Sequence, residues 1–186
     1  MNQIELSNSR LRAQFRLPAR HELQQYHPAH MTLRCFHPDL ALHAGSPAAA
    51  EDAIDLQITL QKGMTQAEQL INGDGPVIEP AFLRQKTCHE PIGRYHIFQE
   101  DRIQAGARHT LMTYVFHADD GAVVGVEDAG ELMESYQFCR KIGKYIQLRY
   151  LLSKEYGDDF IEVDLQITQF VKSLLIRVWE IDLDSE

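Results

Sequence analysis

Histidine and cysteine are the side chains here best suited to chemistry, and their spacing limits what that chemistry is. The chain carries nine histidines in 186 residues. His21, His27 and His30 are close in sequence, with His37 and His43 following. Imidazole is a common zinc ligand, but protein zinc sites draw on tight His-x3-His pairs on a helix or on paired cysteines. In this stretch the spacing is irregular, the composition is loop-like, and no cysteine pair accompanies it. Surface histidines are therefore the expectation, and neither a metal nor another cofactor is assigned. A small-molecule or metal-dependent enzyme using the clustered histidines is the alternative function.

Other constellations fare no better. Cys88-His89-Glu90 places a nucleophile, a base and an orienting acid in a row, but adjacent residues of a strand point to opposite faces and a triad is assembled in space. Asp119-Asp120 has the look of paired carboxylates, yet it precedes Gly121 in a turn that wants Asp for its own backbone. His109 and His117 share a face at opposite ends of one strand, too far apart to act together. The chain contains no G-x-x-x-x-G-K, no G-x-G-x-x-G and no G-x-S-x-G, so neither a phosphate-binding loop nor a nucleophile elbow is expected. No catalytic residue is assigned, and the balance is against an enzyme.

Composition narrows the class. Hydrophobic residues make up 44% and charged residues 24%, which suits a globular chain with a sizeable core. No apolar run approaches the roughly 20 residues of a membrane-spanning helix, and residues 1–6 lack the basic start of a signal peptide. The expectation is a cytoplasmic protein with no membrane contact. Cys35, Cys88 and Cys139 are odd in number and widely spaced, as for reduced thiols rather than a disulfide framework. Net charge is −9. Residues 155–186 hold nine acids against Lys172 and Arg177, a balance of −7. Such a chain lacks the basic footprint of a nucleic-acid binder. The acidic end reads as a solvated face, or else as a docking face for a basic partner through Asp158, Asp159, Glu162 and Asp164.

The elements that must position these residues follow from hydrophobic period. Leu11 to Leu17 alternates strictly, the mark of a half-buried strand, and Pro18 ends it. Residues 31–36 are a second strand, and 37–52 a surface loop. Ile54, Leu56, Ile58 and Leu60 alternate with polar partners. Thr65-Gln66-Ala67-Glu68 has capping-box spacing and opens a short helix near 65–72. Strands follow at 94–98, 110–117 and 122–126, the last two joined by an Asp-Gly turn, and another at 145–152. Residues 127–136 fit helix or loop. Val163, Ile167, Phe170, Val171, Leu174, Leu175 and Val178 form a stripe at the helical period. The reading is one α+β domain over 1–186: mainly antiparallel sheet, with a long C-terminal amphipathic helix packed on it as its main lid.

Phe15-x-Leu17-Pro18, the strand at 54–60 leading into Met64-Thr65, the hairpin meander and the closing amphipathic helix together resemble the PsbP-like domains. That family includes small cytoplasmic chaperones that accompany bacterial type VI secretion effectors. The resemblance implies a non-catalytic protein-binding module: a bacterial adaptor, chaperone or immunity protein whose partner is another protein, such as a secreted effector or toxin. Its oligomeric state is not set by these residues.

Overall fold

The computed structural model describes residues 2–18, 25–36, 41–42, 53–72, 86–104, 106–157 and 159–181. The chain forms two compact units: Met1–Lys62 with Ile142–Tyr150 and Asp159–Glu186, and Gly63–Lys141 with Leu151–Asp158.

In the first unit, β1 (Asn2–Ser7), β2 (Leu11–Leu17) and β13 (Leu175–Glu180) make an antiparallel sheet in the order β1-β2-β13. Strict alternation in β2 buries Leu11, Ala13, Phe15 and Leu17 and leaves Arg12 and Arg16 exposed, as a period of two requires. The same unit holds β3 (Gln25–His27), β4 (His30–Phe36), β5 (Ala41–Leu42), β6 (Ala53–Leu60) and the part of β12 (Ile146–Ser153) up to Tyr150. β6 lies between β4 and β12, so Met31 opposes Ile58, Leu33 opposes Leu56, Cys35 opposes Ile54, and Ile146 opposes Leu60. All eight are buried. On the opposite face of this pair, Arg34 grips Asp55 through two hydrogen bonds of 2.7 and 2.8 Å. Most of the expected 37–52 loop lies outside the described residues, though Ala41–Leu42 pairs with Cys35 and Phe36 of β4.

The second unit holds α1 (Gln66–Asn72), the strands β7 (Thr87–Cys88), β8 (His96–Gln104), β9 (Ala107–His117) and β10 (Val123–Asp128), and the part of β11 (Ser135–Ile142) up to Lys141, the strands neighbours in that order. The capping box of α1 closes both ways: Glu68 N–H donates to Thr65 Oγ1 at 3.2 Å, and Thr65 N–H to Glu68 Oε2 at 2.5 Å. The β9–β10 turn is shaped by Gly121 at φ +81°, where a side chain would be strained. Ala67, Phe98, Val115 and Val123 form a core cluster with Leu70 and Ile71 packed against it.

Two expectations are corrected here. The C-terminal helix does not run through Val178 and does not dominate. Helix α2 (Phe160–Leu174) has 15 residues, and Leu175 turns extended at its C-cap. Leu175–Glu180 then completes the sheet as β13, pairing Leu175 with Phe15 and Val178 with Ala13. Ile176, Val178 and Trp179 suit a strand at least as well as a helix, and an open β2 edge offers a full ladder of backbone partners that continued helix would leave unused. Of the described residues 57% are strand and 20% helical, so this part of the chain is mostly antiparallel sheet with two short helices, the longer of 15 residues. The segment 127–136 resolves into the end of β10, a 3-10 turn at Gly130–Leu132 and the start of β11.

Close packing yields the first test. A Cβ on Gly125 would stand 2.8 Å from the Ala67 Cβ, so Gly125→Ala should lower stability by about 1–3 kcal/mol through overpacking. Ala67→Gly alone should cost about 1 kcal/mol in helix propensity. Thermal denaturation of the double variant should show less than the sum, since the two changes relieve one clash.

Candidate functional site

Of the acids singled out in the sequence, the three described do not form one accessible face. Asp158 lies outside the described residues. Asp159 is the N-cap of α2, its carboxylate accepting from the Glu162 N–H at 3.2 Å. Glu162 is exposed and accepts from Gln166 at 2.8 Å. Asp164 is 1% exposed and accepts from the buried Tyr150 hydroxyl at 3.3 Å. Further along, Glu180 pairs with Lys62 at 3.1 Å and accepts from the Tyr145 hydroxyl.

The described histidines gather no further than one pair. His27 and His30 stack with ring centroids 5.0 Å apart at the β3–β4 turn, while His21, His37 and His43 lie outside the described residues. Among the described residues, no group of three or more His, Cys, Asp or Glu could hold a metal ion. His109 and His117 sit opposite Arg102 and Val123 at the two ends of β9. His89 faces Gln99 at 3.0 Å, whereas the Cys88 thiol meets the main-chain oxygen of His89, so no nucleophile–base pair forms between them. Asp119 and Asp120 pair with Arg94 at 3.1 Å and Arg140 at 2.5 Å. Burial pushes the Cys35 thiol up to about 12, which leaves it protonated and unreactive near neutrality.

Structure instead assembles a groove on β8. A cavity of about 490 Å³ is lined by Thr87, Gln99, Glu100, Asp101, Arg102 and Ile103. Among the described residues, β7 pairs with Phe98 and Gln99, while β8 runs on to Gln104. The Ile97 carbonyl accepts from the His89 N–H at 2.9 Å, so the main-chain groups of Ile97 face the β7 side. By the period of a strand, those of Gln99, Asp101 and Ile103 face that side as well. Beyond Gln99, no strand among the described residues pairs there.

The groove's electrostatics are set by Glu100. Arg102 donates to its two oxygens at 2.6 and 3.0 Å, and Lys86 Nζ stands 3.5 Å away. Lys86 also donates to Thr113 Oγ1 at 2.9 Å. The Lys86 side chain is 1% exposed and Glu100 4%, whereas Arg102 is about half exposed. The Arg102 hydrogen bonds hold the Glu100 carboxyl below its ordinary range, outweighing burial, and the charges of Arg102 and Lys86 add to this. On the other face of β8, Asp101 accepts from Arg108 and from Thr110 (2.9 Å), and the Arg108 bond likewise lowers its pKa.

A carboxylate saturated by two cations is a poor base and a poor metal ligand. What the groove offers is recognition: outward main-chain groups at Asp101 and Ile103, an accessible guanidinium, and an Ile103 side chain left 83% exposed. The sequence strand at 94–98 stops short of all of it, because Glu100-Asp101-Arg102 looks like solvated loop. No apolar period marks the extension, since Gln99-Glu100-Asp101-Arg102 is polar on both faces; Gly106 at φ +81° marks the turn after it.

Because the folded Glu100 pKa lies below its ordinary 4.5, its contribution is complete above that value and is lost as pH falls through the lowered pKa. Glu100→Gln removes the buried carboxylate that Arg102 and Lys86 both face and should cost about 3 kcal/mol at neutral pH. Melting curves between neutral and acid pH should show the variant's deficit shrinking as the wild-type carboxyl protonates.

No family model, curated protein or solved structure matches the chain.

Proposed function

We propose that the chain is a non-catalytic protein-binding module, a bacterial cytoplasmic adaptor, chaperone or immunity protein, and that it receives an extended segment of a secreted effector or toxin along β8. The observation that supports this reading is the β8 edge past Gln99, where no strand among the described residues pairs with the main-chain groups of Asp101 and Ile103 and the Ile103 side chain is exposed. Adding a strand to an open sheet edge draws affinity from backbone hydrogen bonds and specificity from flanking side chains. The charged Asp101 and Arg102 fit the same role, since they discourage indiscriminate edge pairing while leaving a chosen partner able to answer them. The order of elements read from the sequence resembles that of PsbP-like domains and suits a role of this class, although the helix taken there as closing is followed by β13. The described helices include none long and apolar enough to cross a membrane, which is compatible with the cytoplasmic setting.

Ile103→Pro removes one outward donor from the edge without touching a bond to β9. In a low-salt pull-down from host lysate, wild type should retain a specific protein that Ile103→Pro loses at unchanged melting temperature. Equal retention by both would remove β8 as the site. Turnover of a small molecule by purified protein with no retained partner would overturn the reading as a whole.

A further inference from the structure

The solvent face of the β1-β2-β13 sheet carries an ordered array that the net charge of the chain conceals. Register places Ser7, Arg12 and Trp179 in one cross-strand row, Glu5, Gln14 and Arg177 in the next, and Gln3 with Arg16 in a third. A register shift between Leu175 and Arg177 is what brings Arg177 to this face. Without that irregularity, the alternation of β13 would turn it inward. Arg177 donates to Gln14 at 3.2 Å and stacks on Trp179, its guanidinium carbon 4.4 Å from the ring centroid. Gln14 donates to Gln3 at 3.3 Å, and Arg12 lies 3.6 Å from Glu5. Arg16 is exposed, and among the described residues neither it nor Arg177 enters an ion pair. This face therefore holds three arginines and one acid in a chain whose net charge is −9.

We propose that this face docks an acidic, extended segment of a partner protein with carboxylates at alternate positions. Charge complementarity selects the sign, and spacing selects the pattern. Arg12 and Arg16 stand about 13 Å apart along β2, and Arg177 lies beside the midpoint, one strand spacing of about 4.8 Å away. An extended peptide repeats its side chains on one face about every 6.6 Å, so acids at positions i, i+2 and i+4 meet Arg12, Arg177 and Arg16 in turn. Arginine forks suit carboxylates, and Gln3 and Gln14 supply neutral amides between them. A nucleic acid fits less well: three arginines neutralise few phosphates on a chain of this charge, and Arg177 already takes one ring face of Trp179 that a base would need. The site lies on different strands from the β8 groove, and its test does not depend on that one.

Trp179 is the single tryptophan and reports occupancy directly. The full chain is titrated, by Trp179 emission and by calorimetry, with a synthetic peptide of alternating glutamate and glutamine. The comparison ligands are the same residues in two blocks, a short single-stranded oligonucleotide, and phosphatidylserine vesicles. The alternating peptide should shift the emission, weaken with added salt, and bind most tightly of the four. R12Q/R16Q, which leaves the Arg177–Trp179 pair in place, should weaken it about tenfold, two exposed charge pairs being lost. If that variant misfolds by circular dichroism, the exposed R16Q alone should weaken binding about threefold. Equal affinity for the blocked peptide, tighter binding of the oligonucleotide or vesicles, or wild-type affinity in the arginine variants would each overturn the proposal.

Discussion

The first unit depends on one geometric constraint, the two-residue period of β2. Every second side chain from Leu11 to Leu17 is buried, so a slip of one residue would expose Phe15 and bury Arg12 and Arg16. Burying a large side chain such as Phe15 is worth about 2–3 kcal/mol, and stranding an unpaired guanidinium costs more. Register is therefore strongly specified. Because β2 is the central strand, its register also fixes where β1 and β13 align, and so which residues of both ends of the chain meet solvent.

In the second unit the same alternation is used for polarity as well as for core. Phe98 and Glu100 lie on one face of β8, the first in the cluster with Ala67, Val115 and Val123, the second held by Lys86 and Arg102. Ion pairs of this kind add little net stability, but removing one partner leaves the other exposed to the full desolvation cost. Their consequence is geometric: Arg102 is tied to Glu100, and the Asp101 carboxylate to Thr110 and Arg108, which keeps the β8 edge extended beyond the reach of β7.

Charge counted along the chain and charge displayed on a surface are different quantities. The acidic end of the sequence disperses into a helix cap at Asp159, a buried acceptor at Asp164 and a pair between Glu180 and Lys62. Arg177, a minority charge in that segment, joins Arg12 and Arg16 from the other end of the chain to form a basic face. Ion-pair and hydrogen-bond partners, rather than residue counts, set what a partner would meet.

Local patterns were legible where a single period and its punctuation acted together. The alternation at 11–17 and 54–60, the capping box at Thr65 and Glu68, and the Asp-Gly turn at 120–121 are short-range physics, and each stands in the structure. Where the chain leaves one element for another without a breaker, period alone misleads. Leu174, Leu175 and Val178 fit a helical stripe, yet the strand at Leu175–Glu180 is chosen by the waiting edge of β2, more than 150 residues earlier. For the same reason the β8 groove and the arginine face were beyond the sequence: both are made by strands that end or shift relative to their neighbours. By itself the sequence determined which residues alternate and which turns close, because those depend on adjacent dihedrals. Only the tertiary structure decided which strands lie side by side, because that choice is made by long-range backbone pairing and burial.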